Sequence, residues 1–275
     1  MVSMPEDFYL AVRLTSFTAV LALMIGLEHA VPRRARILAR WRRWPGNMAM
    51  VVIDSVVARL IFPIALIGVA ASGEALEWGL LNQVALPGWV EVVIAVMMLD
   101  LAIYGQHFAF HATPSLWRIH RMHHSDPELD VTTALRFHPA EILLSLLLKF
   151  LLVVVLGASP LAVLIFEVLL NATAMFNHSN IALPLRVDVL LRQVLVTPDM
   201  HRVHHSIDAR ESGSNFGFNL PWWDWLFGTY RAQPAAGHQD MTIGVADFRA
   251  GRDQRIDQLL IQPLRRGTGK GADHG

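Results

Sequence analysis

The sequence contains no cysteine. This excludes disulfides, thiolate zinc sites, cysteine-ligated iron–sulfur clusters and a cysteine nucleophile. It also carries no net charge, since 23 Lys and Arg residues balance 23 Asp and Glu residues. No general electrostatic pull toward nucleic acid is therefore indicated. Charged residues make up only 17% of the 275 positions, against 53% hydrophobic, and mean hydropathy is +0.39. That balance is too apolar for an ordinary soluble domain. The opening stretch MVSMPEDFYL has no basic region and no small-residue cleavage site, so it reads as retained rather than as a signal peptide. Neither HExxH nor the Glu-x-x-His motif of soluble di-iron bundles occurs.

Histidine, by contrast, is abundant. Of 13 histidines, ten lie between positions 107 and 205. His107 and His111 form HxxxH; His120, His123 and His124 form HxxHH; and His201, His204 and His205 repeat HxxHH. Helical residues three or four apart share a face, so each block is expected to aim its imidazoles at one point. Imidazole suits zinc, copper, iron and nickel. Eight nitrogen ligands exceed what one ion takes, and the arithmetic favours two metals. His178 and His138 sit where the chain returns toward these blocks and are further candidate ligands. Carboxylates should orient the rings and offset metal charge, and Asp100, Asp126, Asp130, Glu141 and Asp199 are the candidates by proximity. His29 reads as a satisfied contact at a helix end, and His238 and His274 as solvated.

Apolar runs predict an all-α, multi-pass transmembrane helix bundle of about three spans plus a helical hairpin, with a cytoplasmic histidine-rich helical cap. The first span runs from about Phe8 to Leu27, long enough to cross a bilayer, the second from Asn47 to Ala71 and the third from Trp89 to Tyr104. The run PRRARILARWRRW after the first span marks the cytoplasmic side and reads as a solvated basic loop. The loop SGEALEWGLLNQVALPG lacks Lys and Arg, which suits the outer side. Ile142–Leu156 and Leu161–Ala174, joined by GASP, form the hairpin, spanning or dipping. Five crossings put the N-terminus outside and every histidine block, with the C-terminus, on the cytoplasmic side. The chain is read as one integral-membrane domain over 1–275: membrane helices in 8–106, two histidine blocks in 107–141, the hairpin in 142–174, the cap with the third block in 175–231, and a C-terminal segment in 232–275.

Intramembrane charge is costly and seeks partners. Lys149 and Glu167 are equidistant from the hairpin turn and are expected to pair, with Ser145 facing Asn171. Arg59 and Asp100 are a second expected pair, unless Arg59 snorkels. LPLRVDVLLRQVLVTP reads as an interfacial helix, or one packed on the bundle, with Val187, Leu190, Leu191, Val194 and Leu195 on its apolar side, ended by Pro198. Trp222, Trp223 and Trp225 are expected at the membrane surface. DQRIDQLLIQPL suggests a docking helix, and RRGTGKGADHG a disordered tail.

The motifs YGQHFAFH, LWRIHRMHHSD, RFHPAE, NHSN, TPDMHRVHHS and NLPWWDWLFGTY, in that order over about Asp100 to Tyr230, resemble the fatty acid hydroxylase superfamily, which includes sterol desaturases, sterol methyl oxidases and alkylglycerol monooxygenase. The resemblance implies a helix bundle whose cytoplasmic histidine cap holds two irons. It implies O2 activation and attack on an unactivated C–H bond of a lipid, sterol-like or fatty-acyl, by hydroxylation or desaturation. It carries the ligand role to the eight block histidines, and His178 matches an extra histidine of many members. The fused cytochrome b5-like domain of some members is missing here, so electrons would come from a separate redox protein. A bacterial inner membrane is the expected location. Zinc in the same histidines, as purified or serving a hydrolase, is the enzymatic alternative; haem ligation or metal transport is the non-catalytic one.

Overall fold

The computed structural model describes residues 6–267. Among these residues the fold is all-helical, with no strand and only two isolated bridges, Pro32 to Ile181 and Ser206 to Ile243. Seven helices form the body: α1 (Glu6–Ala30), α2 (Trp44–Ile61), α3 (Leu66–Ala75), α4 (Gly88–Ala112), α5 (Pro114–His124), α6 (Pro139–Leu156) and α7 (Pro160–Asn177). Shorter turns follow: α8 (Leu185–Leu191), α9 (Pro198–His204), α10 (Ala209–Ser212), α11 (Trp222–Phe227), α12 (Gly237–Asp240) and α13 (Ile256–Ile261).

Five stretches are long and apolar enough to cross a membrane: Asp7–Ala30, Trp44–Gln83, Gly88–Ala112, Pro139–Leu156 and Pro160–Asn177. At 1.5 Å per residue, each 18-residue hairpin helix reaches about 27 Å, close to the hydrocarbon thickness of a bilayer. The second stretch is not one helix. It breaks at Phe62–Ala65, where Pro63 cannot donate to a helical ladder, and resumes as α3. Conversely, α4 runs past the expected end at Tyr104 to Ala112 and takes the first histidine block with it.

Proline at the first turn, where a missing N–H costs nothing, opens α5, α6, α7 and α9. Ser159 and Thr197 cap the last two by accepting from Ala162 N and Met200 N. Pro198 thus separates α8 from α9 and also starts the final histidine helix. Gly157 ends α6 in the left-handed region (φ 70°), and a Cβ there would lie 2.4 Å from the Trp78 carbonyl oxygen. Only glycine satisfies both demands.

Helix α7 is central, packing against α1, α3 and α4. Ala95, Leu99, Ala162, Val163 and Phe166 are wholly buried between them; the small residues allow the close helix approach on which membrane packing depends. Leu10, Leu14 and Leu23 of α1, Val52, Val56 and Leu60 of α2, and Leu147, Leu151 and Val155 of α6 face outward. An exposed apolar belt of this extent fits lipid rather than water.

Several expected contacts are realised differently. Lys149 and Glu167 do line one cavity, but Glu167 pairs with Arg13 of α1 at 3.4 Å. Ser145 and Asn171 face the same cavity, Asn171 donating to Glu167 O. Arg59 and Asp100 do not pair: Arg59 is exposed, while Asp100 accepts from Trp223 Nε1 at 2.8 Å and from the backbone of Asn219 and Leu220. Trp223 is consequently buried under the cap, and only Trp222 and Trp225 remain partly exposed. In α8 the apolar side faces out (Leu185, Val187, Leu190), while Asp188 and Arg192 turn inward and pair at 2.7 Å.

In the basic run Arg36 and Arg42 are exposed as a solvated loop requires, but the other four arginines act as a structural clamp. Arg33 reaches Asp199 at 3.1 Å, Arg34 the carbonyls of His238 and Met241, Arg40 Glu28 at 3.1 Å, and Arg43 is entirely buried. Its guanidinium grips Asp126 through Nε (2.5 Å) and Nη2 (2.6 Å), and Asp130 through Nη1 (2.8 Å). His238 is likewise buried, 3.6 Å from Asp199, and burial pushes its pKa down to about 4. His29 contacts Ile25 O and Arg40 rather than another membrane helix. The expected docking helix is α13, packed on α2. Arg265, at the start of the expected tail, contacts Asp253 at 3.2 Å and stacks over Phe248, while the tail from residue 268 on, with His274, lies outside the described residues.

Candidate metal centre

The ends of α4 and α7, the start of α6, and helices α5 and α9 converge at one end of the bundle. There nine histidines form two buried groups. His107, His111, His120, His124 and His204 make one; His123, His178, His201 and His205 make the other; in each, one nitrogen per ring lies within 4.8 Å of all the rest. The HxxHH blocks therefore do not each aim at one point. On α5 the i, i+4 pair His120 and His124 joins the first group, and His123, rotated 100° or so from either helical neighbour at one-residue steps, joins the second. At α9 the split is mirrored: His201 and His205 go to the second group and His204 to the first. Each block ties the two groups together, and His124 stacks on His205 with ring centres 4.4 Å apart across the seam.

The orientation of the rings is set from outside. His107 Nδ1 contacts Phe216 O at 2.8 Å, His123 Nδ1 Arg136 O at 3.1 Å, His178 Nδ1 Ala174 O at 2.7 Å and His204 Nδ1 Ser214 O at 2.8 Å. His120 Nδ1 contacts Glu141 Oε1 at 2.7 Å. A carbonyl or carboxylate accepts only, so each of these Nδ1 atoms carries the proton and each Nε2 presents a lone pair inward.

This arrangement tests whether a metal fits. His123 Nε2 and His178 Nε2 are 3.0 Å apart, and His178 Nε2 is 3.1 Å from His201 Nε2. With the Nδ1 atoms of His123 and His178 protonated, those two rings set lone pair against lone pair, which is repulsive without a cation between them. A proton is a poor candidate, because burial among other imidazoles drives the pKa of His123, His201 and His205 far down and that of His178 to about 4. In the other group, Nε2 of His107, His120 and His204 is buried with no partner, and His111 Nε2 lies 3.2 Å from His124 Nε2. Buried polar atoms left unpaired in this number call for a ligand, and neutral imidazole nitrogens suit a divalent transition metal.

The remaining candidates sort differently. His138 lies outside both groups; its Nδ1 accepts from Ala140 N and its Nε2 meets Leu260 O at 3.1 Å. Of the five carboxylates, only Glu141 touches a ring of either group. Asp126 and Asp130 hold Arg43, Asp199 joins Arg33, Arg202 and His238, and Asp100 anchors the loop before Trp223. Sequence reasoning missed Asp224, which accepts from Phe216 N and Gly217 N at 2.8 Å and so fixes the loop whose carbonyl holds His107. It also missed Arg136, fully buried, which donates to Met122 O, Ser125 and Gln254 while its own carbonyl holds His123. The carbonyls themselves leave no trace in residue type.

A cavity of about 540 Å³ leads to the first group. His107, Phe110, His120 and Glu141 line its inner end; Leu10, Arg59 and Ile64, all exposed, line its outer part between the membrane helices. The stacked rings of Phe62 and Phe150, 4.9 Å apart, form part of its apolar wall.

The chain is 32% identical over 157 residues to ornithine lipid hydroxylase OlsE of Rhizobium tropici, covering 56% of this chain and 45% of that protein. It is 30% identical over 146 residues to alkylglycerol monooxygenase of Homo sapiens, covering 50% and 30% respectively, and similarly to the Danio rerio protein. The chain thus aligns with less than half the length of these relatives. No solved structure matches it. The sequence model described as "Fatty acid hydroxylase" matches residues 92–229, half of the chain and the stretch that carries all nine clustered histidines, and the protein belongs to that family.

Proposed function

We propose that the protein is a membrane-bound di-iron oxygenase that hydroxylates or desaturates an unactivated C–H position of a lipid, using O2 and an external reductant. The observation that carries this reading is the pair of adjoining all-histidine groups, the first of which closes the inner end of a cavity between membrane helices. In this reading His107, His111, His120, His124 and His204 hold one iron and His123, His178, His201 and His205 the other. The irons supply O2 activation, which side chains alone cannot provide.

The protein's own residues perform the rest. Five Nδ1 contacts lock ring tautomers so that the inward nitrogens are free to bind. Glu141 adds negative charge beside His120. Burial of every ring shields the centre from bulk solvent. For hydroxylation, a C–H bond would become C–OH and the second oxygen atom would leave as water, with two electrons from a separate redox protein and two protons from solvent. The lipid enters from the bilayer through the cavity, and the relatives' names support a lipid substrate. The Rhizobium relative supports a bacterial inner membrane as the location. The arginine-rich segment at the histidine end supports a cytoplasmic centre, within one membrane domain over 1–275.

Metal analysis with Mössbauer spectroscopy, on full-length protein purified from iron-57-grown cells, tests the reading. About two irons per chain with a coupled di-iron signal are expected. Zinc that resists replacement by iron under reducing anaerobic conditions would overturn it in favour of a hydrolase. Haem absorbance would remove the two-metal reading altogether.

A further inference from the structure

The inner end of the cavity carries more hydrogen-bond acceptors than an apolar substrate could use. Asp54 lies within α2, 8% exposed, and its Oδ1 has no partner. Gln106 Oε1 and Glu141 Oε2 are also buried and unpartnered. All three residues line the same cavity. Two of them adjoin the histidines directly: Gln106 precedes His107, and Glu141 uses its other oxygen on His120. Each unpaired buried acceptor is expensive, and more so at membrane depth. Water can fill the space before substrate arrives, but whatever displaces it must bring donors of its own.

Charge in the cavity is also divided. Asp54 and Glu141 stand near the histidine end. Lys149 lies eight residues beyond Glu141 on α6, about 12 Å along the axis, and the Arg13–Glu167 pair also lines this cavity. A sterol or a bare acyl chain would leave the acidic end unsatisfied. A primary ammonium offers three N–H donors and no acceptor.

We propose that Asp54, with Gln106 and the free oxygen of Glu141, is a head-group subsite, and that the substrate is an amphiphile whose ammonium-bearing head lies beside the five-histidine group. Its chain then runs outward past Phe62 and Phe150, and the C–H bonds nearest the histidines are those of the head and the first carbons of the chain. This inference rests on the lipid-oxygenase reading above and narrows its substrate to amine-headed lipids.

The test uses full-length, metal-loaded protein in phosphatidylcholine nanodiscs. Binding of octylammonium, octanol and octanoate is measured by equilibrium dialysis, with empty nanodiscs subtracted. Octylammonium should bind tightest, and Asp54→Asn should weaken it about ten-fold or more, as expected for a lost hydrogen bond to a charged group, while octanol changes little. Equal binding of the three probes, or an Asp54→Asn variant that binds octylammonium like the parent, overturns the proposal. If Asp54→Asn does not fold, Gln106→Leu on the same wall is read in the same way. Metal content of each sample separates the two ideas. Two irons without ammonium preference refute the subsite alone, whereas failure to take up iron under reducing anaerobic conditions refutes the oxygenase reading whatever the probes do.

Discussion

Replacing Arg43 by Met should loosen the metal centre from a distance. Arg43 is fully buried and bonds both oxygens of Asp126 and one of Asp130. Thr133 joins the same cluster, and Arg136 follows three residues later with the carbonyl that holds His123. Removing the guanidinium leaves two buried carboxylates uncompensated, which costs about 3–5 kcal/mol. For a chain of this size that corresponds to a fall in Tm of about 10 °C. The acid side gives an independent measure. Burial by itself would raise the Asp130 pKa, but Arg43 outweighs it and holds the carboxyl at about 2 against an ordinary 3.8. That gap is worth about 2 kcal/mol, present above pH 3.8 and lost as pH falls through about 2. In Arg43→Met the burial remains and the opposing charge does not, so the buried carboxyl is pushed above its ordinary range, the penalty is greatest near neutral pH, and the variant's deficit should shrink as pH falls and the carboxyl protonates. The assay is thermal unfolding in detergent from pH 2 to 7, with metal content measured on the same samples. A variant within about 2 °C of the parent, with an unchanged acid limb, would refute the clamp as a source of stability.

Other outcomes follow from the same geometry. His123→Ala should reduce bound metal, whereas His238→Ala, removing a ring that belongs to neither histidine group, should retain it; atomic absorption on both variants decides, and equal retention would count against the second site. Glu141→Gln keeps an acceptor for His120 Nδ1 but removes its charge, and metal affinity should fall by about 10- to 100-fold in competition with a chelator. Metal-stripped protein should lose stability as pH falls below the ordinary histidine value of 6.5. The folded state keeps His178 neutral down to about 4 while the unfolded chain protonates, a contribution of up to about 3 kcal/mol across that window, and a flat denaturation midpoint from pH 7 to 5 would contradict it.

Residue spacing alone was enough to single out the histidine blocks that the fold gathers into two buried groups. The reason is local: helical periodicity places His107 beside His111 and His120 beside His124 whatever the rest of the chain does. Hydrophobic run length likewise marks the spans, because a bilayer sets a minimum length independent of packing. What spacing could not decide is how the blocks are shared. His123 is turned about 60° from His120 and about 100° from His124 around the helix, a spread that leaves either grouping open, and only the approach of α9 to α5 determines that His123 joins His178, His201 and His205. Partners of charged groups were equally hidden. Sequence distance from a turn suggested Glu167 for Lys149, but α1 lies against α7 and delivers Arg13 first. The arginine run looked like a surface feature because its composition is polar; tertiary contact buries Arg43 by matching it to two aspartates more than eighty residues away. The tautomers that make the site ready for metal depend on backbone carbonyls of Ala174, Arg136, Ser214 and Phe216. Every residue type has a carbonyl, so only the folded chain could reveal which ones face the rings.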